Sequence, residues 1–281
     1  VNISTFRAFW TGVPKAYKTD HFLVHVPLSK LGGTGECFDM ESMYEFMELL
    51  EEIESHFRTK GYLKPDSWTK PLEVYFKDTG SDNLASFVFD GINKNYIIVY
   101  YLNPFINVNI KPFVQNGPLK NKGVARDIIQ GLMGHEICHY VQRLAHHTKF
   151  MSNVWYDEAI ATYFEYVFAG DMSGSNTYFG DGIDRLFPED IDKGFPEDGY
   201  GRPYLIRYLM EKTDNTFILE MQNTYVKADH VMTRPSFKAI YKETIDRAYG
   251  GDESFQPEKL MHDYYRWLSE NFYGLVRGEP R

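Results

Sequence analysis

The sequence predicts an α+β protein in which a small mixed-sheet lobe, residues 1–123, precedes a mainly helical lobe, residues 124–281. Two observations lead to this prediction. Runs with strand character are confined to the first lobe, and from Val124 onward the apolar residues recur mainly at helical spacing. A chain of 281 residues can bury a proper core, so the two lobes are expected to form one unit rather than two independent domains.

The first lobe combines one long amphipathic helix with several short strands. Helical spacing of apolar residues predicts a helix over residues 39–60, and Gly61 follows it as a natural terminating residue. Strands are predicted where short apolar runs are bounded by turn residues, at 22–26, 72–76, 86–89 and 96–102. The last two strands flank Gly91 and form a predicted hairpin, whereas residues 103–123 read as a long connecting loop.

The second lobe is predicted to consist of helices. Apolar residues repeat at helical spacing in six segments, 124–147, 154–169, 203–213, 215–227, 235–249 and 257–274. The first of these would lie between the two lobes, because its apolar residues cover more than one face of the helix.

Composition and charge exclude several classes of function. The formal net charge is −9 and no basic stripe is present, which argues against nucleic acid or an anionic membrane as the main partner. No apolar run approaches the ~20 residues that a membrane span needs. The two cysteines, Cys37 and Cys138, are too few for a disulfide framework, and a bridge between them stays open. Because the chain begins with Val1 and is rich in aromatic residues, a secreted or extracytoplasmic protein is expected, with the cytoplasm as the alternative.

The helix predicted at 124–147 contains the pattern H-E-x-x-H. His135 and His139 are four residues apart, so they lie one helical turn apart on one face and can reach a single metal ion. Neutral imidazole is a good zinc ligand. The carboxylate of Glu136 would then lie beside the metal rather than on it. The alternative is a buried helix on which two histidines fall one turn apart by coincidence.

A third ligand candidate follows on the next predicted helix. A catalytic zinc ion takes three protein ligands and leaves one position open, and two histidines with one glutamate are such a set. Eighteen residues separate His139 from Glu158, enough to end one helix, turn and bring a second one alongside it. The sequence therefore predicts one zinc ion per chain, bound by His135, His139 and Glu158.

These motifs resemble the gluzincin family of zinc metallopeptidases. H-E-x-x-H, eighteen residues and then Glu158 match the spacing of the aminopeptidase N-type branch, whose members carry Trp-x-Asn-Glu-Gly-x-Ala where this chain has Trp-Tyr-Asp-Glu-Ala-Ile-Ala at 155–161. The resemblance covers residues 124–212. It implies a thermolysin-like fold, hydrolysis of peptide bonds in a peptide or protein substrate, and Glu136 as general base.

The resemblance also implies a tyrosine that stabilises the oxyanion. The segment from Tyr200 to Leu209 is similar to the family segment that carries it, with Tyr200 as the first choice and Tyr204 as the second; packing of these rings is the alternative. Glu165 is the first candidate and Asp157 the second for accepting the far ring N–H of a ligating histidine; a solvated or salt-bridged carboxylate is the alternative for each. His146 lies near the position of the third histidine of a metzincin site, but the glycine of that pattern is missing.

Substrate preference is expected to differ from that of the aminopeptidases. The Gly-x-Met-x-Asn motif that holds a free N-terminus in that branch is missing, which favours an endopeptidase. The strand at 96–102 is either the edge that binds an extended peptide or an ordinary internal strand. Two other functions stay open: a zinc-bearing module that binds a peptide or glycan without cleaving it, and a zinc hydrolase that acts on another ester or amide.

Overall fold

The protein is a mixed α+β structure with a small mixed sheet and seven α-helices among the residues that the computed structural model describes. These residues are 4–7, 14–25, 40–64, 66–77, 85–89, 95–100, 124–146, 154–169, 203–228 and 237–271. By their contacts the residues group into two compact units, one of 1–144 with 165–171 and the other of 145–164 with 172–281.

The first unit contains a six-stranded sheet. Its strands are β1 Ser4–Arg7, β2 Pro14–Lys18, β3 Phe22–His25, β4 Leu72–Lys77, β5 Ala85–Phe89 and β6 Asn95–Tyr100. Their order across the sheet is β1-β2-β3-β4-β6-β5. The central pairs β3–β4 and β4–β6 are parallel, and the remaining pairs are antiparallel. The four predicted strands are all present in this sheet, and the predicted hairpin corresponds to the antiparallel pair β5–β6.

Among the described strands, the last one on the β6 side of the sheet is β5, not β6. Strand β6 pairs with β4 on one side and with β5 on the other, so of the two alternatives for this strand the internal strand is correct and the peptide-binding edge is wrong. The physical reason is visible in its sequence. Ile97, Ile98 and Val99 are consecutive and all buried, the pattern of a strand covered on both faces rather than of an exposed edge.

Strands β1 and β2 were not predicted because their sequences carry little apolar periodicity. Strand β2 reads Pro-Lys-Ala-Tyr-Lys, in which Ala16 and Tyr17 are the buried residues, and it pairs antiparallel with both β1 and β3. Pairing within the sheet therefore determines the strand conformation here, since hydrophobic alternation is too short to do so.

Helix α1, Met40–Thr59, packs against this sheet along its predicted apolar stripe. The stripe residues are almost completely buried, and they are Met43, Phe46, Met47, Leu50, Ile53 and Phe57. The ring of Phe46 lies 5.4 Å from that of Phe76 in β4. At the end of the helix Gly61 has φ 82°, a left-handed conformation that glycine adopts without steric cost. Its N–H donates to the carbonyl of Arg58, which confirms the predicted termination.

A charged network joins α1 to the start of β3. The backbone N–H of His21 donates to Oε1 of Glu51 at 2.9 Å, and its Nδ1 lies 2.7 Å from Oε2 of the same carboxylate. Glu54, only 2% exposed, accepts from Nε of Arg58 at 2.8 Å. A buried carboxylate needs such partners, because an unpaired buried charge is strongly unfavourable.

Helix α2, Val124–His146, and helix α3, Val154–Ala169, have nearly the predicted bounds. The last turn of α3 approaches α2 closely at Gly134. A Cβ built on Gly134 would lie 2.3 Å from a ring carbon of Phe168, and that ring also lies 5.0 Å from His56 and 5.7 Å from Phe57. Glycine therefore permits the close contact between the residue before His135 and the end of α3.

We expect Gly134→Ala to destabilise the protein. The added methyl group has to displace a ring that is packed on two other aromatic side chains. Overpacking of this kind costs about 1–3 kcal/mol, against about 1 kcal/mol that alanine gains over glycine in a helix. Urea unfolding of the two proteins measures the net loss. A gain in stability of about 1 kcal/mol would show that helix propensity alone operates at this position.

The second unit contains the remaining helices. They are α4 Pro203–Lys212, α5 Phe217–Ala228, α6 Phe237–Ala248, a short 3-10 helix Glu253–Phe255 and α7 Pro257–Asn271. Their bounds confirm the predicted helices, and the predicted end of α7, residues 272–274, lies outside the described residues. Arg247 of α6 binds Glu220 of α5 through Nη2 at 2.7 Å, and Trp267 of α7 donates from Nε1 to Glu211 at 2.9 Å.

Within the described ranges, no helix is both long enough and apolar enough to cross a membrane.

Candidate metal centre

Helix α2 presents three polar side chains of the motif in buried positions. His135, Glu136 and His139 are 6%, 5% and 8% exposed. The helix is apolar on the surrounding positions, with Met133, Ile137 and Cys138 almost fully buried. Polar side chains are retained in such an environment only where partners compensate for the water that they lose.

The two imidazole rings face each other. Nε2 of His135 and Nε2 of His139 lie 3.1 Å apart. On the far side of each ring, Nδ1 of His135 lies 2.8 Å from Oε1 of Glu165, and Nδ1 of His139 lies 2.9 Å from Oε1 of Gln142. Because carboxylate and amide oxygens only accept, these partners favour a proton on both Nδ1 atoms. Each Nε2 is then left with a lone pair.

This arrangement fits a metal ion. Two lone pairs that face each other at 3.1 Å repel unless a cation lies between them. Two nitrogens bound to zinc at about 2.05 Å in tetrahedral geometry lie about 3.3 Å apart, close to the spacing found here. Ligating histidines usually donate their other ring N–H to an oxygen. Gln142 is hydrogen-bonded to His139 in this role, and the carboxylate of Glu165 lies at ion-pair distance from His135.

Glu158 completes the group. It lies on helix α3, two turns before Glu165 on the same continuous helix. One ligand atom each of His135, His139 and Glu158 can be chosen so that all three lie within 4.8 Å of one another. The three side chains therefore form a group that could hold a metal ion.

Glu136 follows His135 on α2 but is not a member of this group. Its Oε2 accepts a hydrogen bond from the backbone N–H of Phe87 in β5, at 2.6 Å. The carboxylate thus points toward strand β5, and a backbone N–H of that strand donates to one of its oxygens. A carboxylate next to a metal site is suited to accept and return a proton.

A second group of possible metal ligands is formed by His21, Glu51 and Glu54. Its atoms are already engaged with one another: Glu51 uses both oxygens on His21, and Glu54 pairs with the guanidinium of Arg58. The positive charge of Arg58 replaces the one that a metal would supply. This group is therefore better described as an ionic network than as a metal centre.

Aromatic rings also pack near the motif. Tyr140 follows His139 and is 6% exposed, and burial raises the pKa of its hydroxyl to about 12. Its ring lies 4.6 Å from that of Trp68 and 5.9 Å from that of Phe87. Tyr140 thus stays neutral and packs the surroundings of the motif.

Several predicted residues fall elsewhere. Tyr200 and Cys37 lie outside the described residues, while Tyr204 is buried in α4 at 3% exposure and Cys138 is buried in α2. The side chain of His146, at the end of α2, also lies outside the described part.

Sequence reasoning missed two contacts of the site. Gln142 could have been found from spacing alone, since it lies three residues after His139 on the same helix. The contact of the Phe87 N–H could not have been found from the sequence, because it is made by a backbone group 49 residues from Glu136.

Comparison with known proteins adds no relative: no family model matches the chain, and neither the curated proteins nor the solved structures give a significant match. The group of possible metal ligands is therefore supported by its own geometry alone.

Proposed function

We propose that this chain is a zinc-dependent metallopeptidase of the gluzincin type, with His135, His139 and Glu158 as metal ligands and Glu136 as general base. The observation that carries the proposal is the convergence of the three possible ligand side chains, with the buried Glu136 directly after His135 on the same helix and outside the group. The same proposal includes a thermolysin-like fold. It is supported by the mixed sheet, whose strand β5 contacts helix α2, the helix that carries the motif.

The donor set favours zinc. Two imidazole nitrogens and one carboxylate oxygen are ligands that zinc accepts in catalytic sites, and they leave a fourth position open. When bound, zinc supplies a Lewis acid that polarises a carbonyl group and lowers the pKa of water toward ~7. Its charge is only partly neutralised, since Glu158 is the one anionic member among the three ligands.

The chain's own groups then account for proton transfer. Glu136 takes the proton of the attacking water and later passes it to the leaving amine, so that one carboxylate serves as base and then as acid. Glu165 and Gln142 hold the two imidazoles in the orientation that directs Nε2 at the metal position. Tyr200 is proposed as the hydroxyl that donates to the oxyanion of the tetrahedral intermediate.

The proposed substrates are peptides or proteins cleaved at internal bonds. The missing Gly-x-Met-x-Asn motif leaves no recognised group for a free N-terminus, which supports an endopeptidase. An extended substrate could pair with β5 only through those peptide groups of the strand that do not bind Glu136. The N–H of Phe87 already binds Glu136, so the substrate would have to pair with β5 beside this contact.

A panel of substrates tests this proposal. Zinc-loaded protein is incubated with N-terminally blocked quenched peptides, free aminoacyl amides, casein and carboxylic esters. We expect cleavage of blocked peptides and casein, its loss with 1,10-phenanthroline and its recovery on adding zinc. Cleavage of aminoacyl amides alone would reverse the endopeptidase assignment, and ester cleavage alone would indicate a different hydrolase. Zinc-loaded protein that hydrolyses none of them would contradict the enzyme and favour a binding module.

A further inference from the structure

We propose that the backbone N–H of Phe87 positions the general base, so that edge strand β5 forms part of the catalytic apparatus. Phe87 thereby acts as a positioning residue through its peptide group and not through its ring. The catalytic meaning of this contact rests on the proposed function, whereas the contact itself does not.

The contact has the geometry of a strong hydrogen bond. The N–H of Phe87 donates to Oε2 of Glu136 over 2.6 Å, and Glu136 is only 5% exposed. A hydrogen bond to an ionised acceptor is shorter and about twice as strong as one between neutral groups. In a buried setting it also compensates for water that the carboxylate has lost. Breaking it would leave the carboxylate less restrained and less well solvated.

The pairing of β5 makes this N–H available. Phe87 stands opposite Ile97 of β6, and its N–H points to Glu136, on the side of the strand away from β6. In an antiparallel pair the residues alternate between those that bond across the pair and those that point outward. Phe87 is of the outward kind, so its N–H can bind a side chain without any loss to the sheet.

The strand is also fixed against the motif helix by ring contacts. The Phe87 ring lies 5.9 Å from the ring of Tyr140, which in turn lies 4.6 Å from Trp68. The donor therefore belongs to a sheet strand packed on the helix that carries its acceptor. A base held by a rigid backbone group needs no reorganisation before the proton moves, which is how precise placement of a reacting group lowers the barrier.

The alternative is that the N–H only satisfies a buried carboxylate and has no effect on turnover. The two possibilities differ in what happens when the N–H alone is removed. Proline lacks the N–H and is tolerated on edge strands where that group does not serve the ladder. Phe87→Pro therefore removes the donor together with the ring, and Phe87→Ala removes the ring but keeps the donor. The difference between these two variants isolates the N–H.

We expect equal zinc content in the two variants, a KM within about twofold, and a kcat for Phe87→Pro at least about tenfold below that of Phe87→Ala. A general structural disturbance would lower the zinc content or raise KM together with the loss in kcat. Equal kcat values in the two folded, zinc-loaded variants would overturn the proposal.

Hydrogen exchange tests whether the Phe87 N–H binds Glu136, even if Phe87→Pro does not fold or the protein shows no peptidase activity. The exchange rate of the Phe87 amide is measured by NMR in the wild type, Glu136→Gln and Glu136→Ala, all without zinc. We expect slow exchange in the first two, because glutamine keeps an acceptor oxygen, and at least about tenfold faster exchange in Glu136→Ala. An amide that exchanges as fast in the wild type as in Glu136→Ala would overturn the proposal. A protected amide in a protein that hydrolyses no substrate would instead contradict the proposed function.

Discussion

Glu136→Gln is expected to keep about one zinc per chain and to lose kcat by about 10²–10⁴-fold. Glutamine has the shape of glutamate and retains an oxygen that can accept from the N–H of Phe87, so the packing around the motif should persist. Its amide cannot take up the proton of the attacking water. The effect should therefore fall on turnover and not on metal binding or KM. Steady-state kinetics on the best blocked peptide, with zinc content from the same samples, measure it.

A matched control makes the same chemical change at an exposed position. Glu243 lies on α6 and is exposed, so Glu243→Gln removes one carboxylate without touching the site. Its kcat should stay within about twofold of the wild type. If Glu136→Gln were also within twofold, Glu136 would not be the general base, and the proposed proton transfer would be wrong.

Glu158→Ala is expected to weaken zinc binding by at least about 10²-fold. Even partners that only orient a ligand typically change metal affinity by 10–100-fold, and loss of a ligand should exceed that range. The variant leaves two histidines on one helix, without the anionic oxygen that the group provides. Competition with a chelator of known zinc affinity measures the dissociation constants of the wild type and the variant.

Asp157→Ala is the matched control for that experiment. Asp157 is the neighbouring carboxylate on α3 and does not belong to the group of ligand atoms. We expect its zinc affinity to remain within about fivefold of the wild type, an effect smaller than the loss of an orienting partner. A Glu158→Ala variant that binds zinc as tightly as the wild type would remove Glu158 from the ligand set and leave the site without its third protein ligand.

The sequence predicted the parts of the fold that depend on local patterns. Helices α2 and α3 carry apolar residues at helical spacing, and both were found with nearly the predicted bounds. The two histidines of the ligand group followed from the same regularity, since their spacing on one helix fixes their relative position. Glu158 followed from the ligand set that zinc needs and from the resemblance. Burial of Glu136 beside them could be expected for the same reason, because α2 is apolar on more than one face.

Strand pairings and contacts between segments far apart in the chain could not be predicted from local sequence patterns. Strand β2 has too few apolar residues to be recognised as a strand. Strand β6 pairs in parallel with β4, a strand about 20 residues earlier in the chain, and local patterns do not indicate such a partner. The sequence therefore left open whether β6 is an edge or an internal strand, and the described strands place β5 beyond it. The contact of Phe87 with Glu136 was missed for a related reason: its donor is a peptide group, which every residue except proline carries, so the sequence does not distinguish it.

The central claim is that His135, His139 and Glu158 bind zinc, and metal content tests it most directly. Wild type, His139→Ala and His21→Ala are purified without chelator, and zinc per chain is measured by mass spectrometry. His21→Ala removes the one histidine of the second possible ligand group found among the described residues, so it serves as the control. We predict about one zinc per chain in the wild type and in His21→Ala, and its loss in His139→Ala. A well-folded wild type without zinc, or zinc that is lost in His21→Ala and kept in His139→Ala, would contradict the account.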